Sequence, residues 1–261
     1  MNKIITIICS IVFLNSTAIA DTGKNELTAE QILERSDNIR NPAQPFAVTL
    51  TLTEYTNAKP GDKMVITVHS KKHSETGQYR SLVQFLEPLR DRDKLMLQNG
   101  SEIWFYDPAS SNSIRLSPQQ RLLGQASNGD VMSTNFALDY SVAMVGPEQL
   151  KDAEKKERDA VRLKLSAKTP SATYEAIDYW VDKATSQPIK AKFYASSGKL
   201  MKIGYYLNFQ QNLGESRPSE TLIIDGIDSK KVTRMQMSNY RFVDIPEAWL
   251  QSSYLPRFKG Q

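Results

Sequence analysis

From Phe46 the chain alternates. Phe46, Val48, Leu50 and Leu52 are apolar, and Thr49, Thr51 and Thr53 lie between them. A period of two puts one set on each face of an extended segment, so this is a half-buried strand. The pattern recurs and so constrains the fold more than any other feature. Lys59-Pro60-Gly61-Asp62 reads as a turn, after which Met64, Ile66 and Val68 resume the period. Further strands are predicted at 79–86, 94–98, 102–106 and 113–116, with Asn99-Gly100 as a hairpin signal between two of them.

Residues 117–147 break the period. A short helix is predicted over 119–125. Gly124, Ser127, Asn128 and Gly129 make a loose stretch, and Phe136, Leu138, Tyr140 and Met144 place bulky groups in it. Strands are then predicted at 160–167, 176–182, 189–194, 200–209, 221–225 and 232–239, with Ser196-Ser197-Gly198-Lys199 as a tight turn. The stretch from Pro246 to Phe258 carries Trp249, Leu250 and Leu255 and reads as a short helix or extended arm. One helix precedes the strands. Thr28 and Gln31 form a capping-box pattern, Ile32, Leu33 and Ile39 share a face, and Asn41-Pro42 ends the run.

The count is about eleven or twelve strands with short links, which favours antiparallel neighbours. A sheet of that size must curl. With one apolar face and two non-strand segments, the expected architecture is mainly β with a few helices: a half-open antiparallel barrel with a helical plug. Composition shows no boundary, so residues 21–261 read as one domain.

The first twenty residues have the layout of a secretory signal. Met1-Asn2-Lys3 starts positive, an apolar run follows from Ile4 to Leu14, and Ala18-Ile19-Ala20 is a small-x-small cleavage site before Asp21. The expected location is an extracytoplasmic compartment. The lone Cys9 falls inside the apolar run, so the mature chain has no thiol for a disulfide or a thiolate metal site. The later apolar runs, such as Ile103-Trp104-Phe105-Tyr106, are far shorter than a membrane span needs, which predicts a soluble mature protein. The net charge is only +4 and no basic cluster stands out, so nucleic acid is not an expected partner.

Little points to catalysis. His69 and His73, the two histidines, read as surface residues at a hairpin end rather than metal ligands. There is no G-x-S-x-G, no phosphate-cradling glycine loop and no paired nucleophile and base. Asp91, Asp93, Asp107 and Asp178 sit at predicted turns or strand edges, and the mixed charges of 151–158 read as a solvated turn. The expectation is no enzyme activity, no cofactor and no metal.

Apolar volume is left over. Leu50, Leu52, Ile66, Val68, Leu95, Leu97, Tyr179, Phe193, Tyr205, Leu207, Met235 and Met237 share the inward parity. Trp104 and Tyr106 lie on a strand whose two faces must both be covered. These residues form either an ordinary filled core or the lining of a cavity; methionine suits the second because it adapts to irregular ligands. Arg121, at the start of the irregular segment, is either a tie to the sheet or a plain exposed arginine.

Several ordered segments resemble the outer-membrane lipoprotein-sorting, LolA-like proteins. They are Asp91-Arg92-Asp93-Lys94-Leu95-Met96-Leu97, Ile103-Trp104-Phe105-Tyr106-Asp107-Pro108, Gln120-Arg121 and 132–140. In the second half they are 176–182 with Pro188, Gly198-Lys199-Leu200, and Ile245-Pro246 with Leu255. More narrowly they are similar to the branch found beside transporters of the resistance-nodulation-division (RND) type. The resemblance runs from Phe46 to Phe258. It implies a half-open barrel of about eleven strands, with a lid of helices and loop over an apolar cavity. It also implies a monomeric periplasmic carrier of acylated lipoproteins or other lipids, touching membranes only transiently, with an inner-membrane RND-type transporter as partner. It implies no catalytic residue, cofactor or metal. On this reading Phe136, Leu138 and Met144 fill the cavity mouth and Arg121 anchors the lid. Two other readings stay open: a docking module of such an exporter that carries nothing, and a hydrolase acting on lipid or glycan.

Overall fold

The computed structural model describes residues 27–169 and 172–260; the signal segment and Cys9 lie outside them. The chain opens with helix α1 (Ala29–Arg40). Thr28 and Gln31 cap it reciprocally, and Asn41 closes it in an extended conformation. Six strands follow: β1 (Phe46–Thr56), β2 (Lys59–Lys72), β3 (Tyr79–Glu87), β4 (Leu95–Asn99), β5 (Glu102–Asp107) and β6 (Asn112–Leu116). A small hairpin, β7 (Arg121–Leu123) and β8 (Ala126–Ser127), leads into two one-turn helices, α2 (Asn128–Val131) and α3 (Phe136–Asp139). The second half is strands again: β9 (Tyr140–Lys151), β10 (Glu157–Ala167), β11 (Ala176–Asp182), β12 (Pro188–Tyr194), β13 (Leu200–Asn212), β14 (Glu215–Asp225) and β15 (Lys231–Phe242). Two 3-10 turns, Glu247–Leu250 and Ser252–Arg257, form a C-terminal arm.

Thirteen of these strands make one antiparallel sheet in the order β6-β5-β4-β3-β2-β1-β15-β14-β13-β12-β11-β10-β9. The sequence predicts about eleven or twelve strands; the described residues hold fifteen, two of them in the separate β7–β8 hairpin. The first and last strands of the chain meet mid-sheet, with Leu50 opposite Met237 and Leu52 opposite Met235. The ends β6 and β9 do not pair, so the sheet is not closed.

One face of the sheet holds two apolar clusters. Leu50, Leu52, Ile66, Val83, Met96 and Ile223 pack with Ala126, Val131 and Met132 of the 117–139 segment. Leu163, Leu165, Ile177 and Tyr179 pack with Ile32 and Leu33 of α1 and Phe136 of α3. The other face of β3–β5 is covered too: Leu82, Leu95, Leu97 and Tyr106 lie under Ile245, Trp249, Leu250 and Leu255 of the arm.

Three local expectations are corrected. The first turn sits at Asn57-Ala58, both at positive φ, as a two-residue hairpin with primed geometry requires. Lys59-Pro60-Gly61-Asp62 is instead the start of β2. Pro60 is tolerated there because β3 joins β2 only from Val65 onward, so no neighbour on that side needs its missing N–H. Second, residues 119–125 form no helix. They hold β7 and a turn at Gly124, whose φ is +53° and where a Cβ would stand 2.3 Å from Thr233 Oγ1. Third, the irregular segment ends at Asp139, because Tyr140 opens β9. That edge strand is largely exposed, contains Gly146-Pro147 and shows no alternation.

Candidate functional site

The two clusters on the covered face leave a cavity of about 140 Å³ between them. Its sheet side is lined by Val48, Leu50, Val68, Phe193, Ile223, Met235 and Met237, its α1 side by Arg40, and its roof by Val131, Met132 and Phe136. An apolar cavity of about this size holds a single benzene ring. With the 117–139 segment in place, a fatty chain does not fit.

That segment is fastened along its length: Gln119 Nε2 donates to Ala172 O (3.0 Å) and Lys168 Nζ to Ala137 O (2.9 Å), and three further groups of ties stand around the cavity. Lys202, on β13, donates from Nζ to Gln125 O (2.8 Å), Ser127 Oγ (2.8 Å) and Asp130 Oδ2 (2.6 Å). Thr233 Oγ1 accepts the Gln125 amide at 2.6 Å. On the α1 side, Arg40 and Asn41 both donate to Thr134 O, and Asp37 Oδ2 accepts the Ala137 amide at 2.8 Å. The third tie is a hydroxyl contact, Ser70 to Ser133 at 2.7 Å. Arg40 also pairs with Asp37 one helical turn back.

Burial shapes the electrostatics. The Asp37 carboxyl is held above its ordinary range by burial, against the opposing pull of Arg40. Asp139 is pushed up to about 6, mainly by burial and next by the charge of Asp37; its carboxylate accepts from Gln78 Nε2 at 2.6 Å. The Tyr174 hydroxyl donates to Asp130 Oδ1 at 2.6 Å and is held well above the usual tyrosine range by burial and by that carboxylate. Two ion pairs thus stand in apolar surroundings, where a charge without a counter-ion costs several kcal/mol.

The predicted site residues divide by position. Leu50, Val68, Phe136, Phe193, Met235 and Met237 line the cavity. Leu52 and Ile66 lie on the same face, in the packed cluster beside it. Tyr179 is fully buried on that face, edge-on to Phe136 and hydrogen-bonded to Ser36 of α1. Leu95, Leu97, Trp104 and Tyr106 are on the opposite face, under the C-terminal arm, while Met96, Ile103 and Phe105 take the covered side. Tyr205 is on the outer face with its ring beside Lys190, and Leu207 shares that parity, because β13 turns Lys202, Gly204 and Tyr206 inward. Leu138 and Met144 are exposed, at 42% and 46%, and do not reach the cavity. Arg121 is exposed at the start of β7, and the fastening falls to Lys202, Arg40 and Asn41 instead. His69 is buried, edge-on to Trp249, and does not sit on the surface. Among the described residues no group of three His, Cys, Asp or Glu side chains is placed to hold a metal.

Comparison with known structures fits this geometry. A LolA superfamily protein from Nitrosomonas europaea superposes with a TM-score of 0.78 at 32% identity, over 87% of this chain and 99% of that one. The chain belongs to the LolA superfamily. A domain assigned to outer membrane lipoprotein sorting, from Vibrio parahaemolyticus, matches with a TM-score of 0.73 at 20% identity, over 88% of this chain and 98% of its own. A DUF1329 family protein from Desulfovibrio piger gives 0.74 at 20% identity, over 87% and 97%. These last two share the LolA-like fold. A family model described as an uncharacterized protein matches residues 77–257, and no curated protein matches significantly. In this LolA-superfamily chain, sequence reasoning missed Lys202 and Asp130. The available signal was a single lysine inside the apolar run Leu200-Met201-Lys202-Ile203, where a solvated strand face would show more than one polar residue.

Proposed function

We propose that this protein is a periplasmic carrier that shelters acyl chains of lipids or lipoproteins on their way toward the outer membrane. In this reading residues 1–20 direct export, residues 21–261 are one carrier domain, and an RND-type transporter in the inner membrane supplies the cargo. One observation carries the proposal: an apolar cavity between a large open sheet and a segment that covers it without joining that sheet's strand ladder. Moving a 14–16-carbon chain through water exposes roughly 11–13 kcal/mol of hydrophobic free energy, at about 0.8 kcal/mol per methylene. The sheltered space must therefore grow well beyond the closed cavity.

The 117–139 segment acts as the lid. Closed, Phe136, Val131 and Met132 fill the space and spare the protein a dry void. Open, they yield it to the cargo. Affinity is then the difference between cargo burial and lid burial, small enough for hand-off.

Native mass spectrometry of protein purified from periplasm without detergent, followed by lipid extraction, tests this. A bound species of lipid or acyl-peptide mass is the expected result. A clean apo mass, unchanged after incubation with lipid vesicles, would overturn it in favour of an exporter docking module that carries nothing.

A further inference from the structure

Every acceptor that the structure gives the Lys202 ammonium belongs to the lid: Gln125 O, Ser127 Oγ and Asp130 Oδ2. The lysine itself belongs to the sheet, on β13, with its side chain only 6% exposed and lining the cavity. The other cation of the cavity is built differently. Arg40 and its counter-ion Asp37 both sit on α1 and stay together whatever the lid does.

Lid opening therefore strips Lys202, and not Arg40, of its counter-charge. It keeps the ring of Tyr174, 5.2 Å away, and a wall of mainly apolar side chains with Thr173 and Thr221; Asp225, its cross-strand partner, makes no ion pair with it and spends its Oδ1 on the amides of Ile227 and Asp228. A buried ammonium without an anion is strongly disfavoured. An occupant with a neutral head must bear that penalty, whereas an occupant with an anionic head removes it.

We infer that the occupant of this cavity is an acyl chain carrying a negatively charged head, a carboxylate or a phosphate, which replaces Asp130 at Lys202 when the lid opens. The inference rests on the carrier reading and narrows it. It favours acidic lipids over the uncharged glyceride end of an acylated cysteine. The exchange also favours opening: an anion competing for Lys202 loosens the three hydrogen bonds that this lysine makes to the lid, so arrival of cargo and release of that end of the lid are coupled.

Three probes with the same oleoyl tail test it: oleate, oleyl alcohol and oleoyl-lysophosphatidylglycerol, titrated below their micelle concentrations at neutral pH. Oleate, the lysophospholipid or both should bind about tenfold or more tighter than the alcohol, the scale of one charge-assisted contact. Whichever anion wins identifies carboxylate or phosphate as the source. Lys202→Met should erase the preference by weakening the anions and leaving the alcohol as tight or tighter. Asp130→Asn, which keeps the lid's size and polarity, should strengthen the anions and guards against a Lys202→Met protein that does not fold. Equal binding of alcohol and anions by the unaltered protein overturns this inference and leaves the carrier standing. Binding of none of the three overturns the carrier reading and this inference with it.

Discussion

The guanidinium carbon of Arg40 lies 3.7 Å over the centre of the Phe136 ring. The apolar plug of the 117–139 segment thus rests on a cation that α1 neutralises with its own Asp37. Phe136 is also edge-on to Tyr140 and Tyr179. The contact couples the end of α1 to the roof of the cavity, where cargo and side chain would compete for the same space.

Phe136→Ala should therefore separate binding from folding. Removing the ring costs the closed state about 3–5 kcal/mol, because the adjoining cavity offers no partner to collapse onto. The liganded state, in which the ring has already been displaced, loses less. Acyl-chain affinity should rise while urea stability falls. A parallel loss of both would show that Phe136 is ordinary core in each state.

Much of the layout was legible because local chemistry and tertiary packing agree. The Thr28–Gln31 capping box closes as read, and the Phe46–Leu52 alternation becomes β1. Facing was illegible where both sides of a strand are buried. On β4 and β5, Leu95 and Leu97 look as inward as Met96, and Trp104 and Tyr106 as inward as Ile103 and Phe105. Only the distant C-terminal arm decides between them. On β13 the inward residues are Lys202, Gly204 and Tyr206. A lysine and a glycine hide an interior parity, because the counter-ion, Asp130, comes from a segment 72 residues away. The β9 edge strand escaped notice for the opposite reason, since neither of its faces is consistently covered.

Arg217 should prove a structural keystone. Its Nη1 donates to Asn38 O (2.6 Å) and Ile39 O (2.7 Å) at the C-terminal end of α1, and its Nε donates to Asn212 O (3.0 Å). It is 3% exposed. A cation there satisfies carbonyls that the helix leaves open and complements the helix dipole. Arg217→Met should cost about 2–3 kcal/mol, the scale of leaving several buried acceptors unpaired. Urea denaturation measures it; a loss within error of zero would mean that water replaces the guanidinium.

His69 should make the protein acid-sensitive. It is buried, among the described residues neither ring nitrogen has a well-formed hydrogen bond, the Leu82 backbone giving only a minor opposing interaction, and Trp249 and Phe258 lie against it. Burial, with Arg241 adding to it, holds its pKa down at about 4. The unfolded chain then takes up the proton first, from about pH 6.5, so stability falls between pH 6.5 and 4 and levels off below. The loss approaches about 3 kcal/mol at about 1.4 kcal/mol per unit. Asp139 has the opposite sign. Its raised pKa contributes stability that is present below about pH 4 and lost as pH rises through about 6. The comparison must therefore be against His69→Leu, which keeps Asp139. Between pH 7 and 4.5 the unaltered protein should lose about 2–3 kcal/mol more than the variant. Matching losses would place the acid response elsewhere.

Trp249→Ala tests whether the C-terminal arm is a cover independent of the cavity. Trp249 is buried edge-on to Phe258, with ring centres 5.0 Å apart, and shares a cluster with Leu82, Leu95 and Leu97 of the sheet's outer face. No residue of that cluster lines the cavity on the other side. Truncating a buried tryptophan costs about 3–5 kcal/mol when its surroundings cannot close. Here the arm can also peel away, baring an apolar strip that an environment-sensitive dye would report. Acyl-chain affinity, measured where the variant is still folded, should stay within about twofold of the original, because sites with no shared partners act nearly additively. A larger change in affinity would mean that the two faces of β3–β5 are coupled through the strands, and that the arm helps set the cavity.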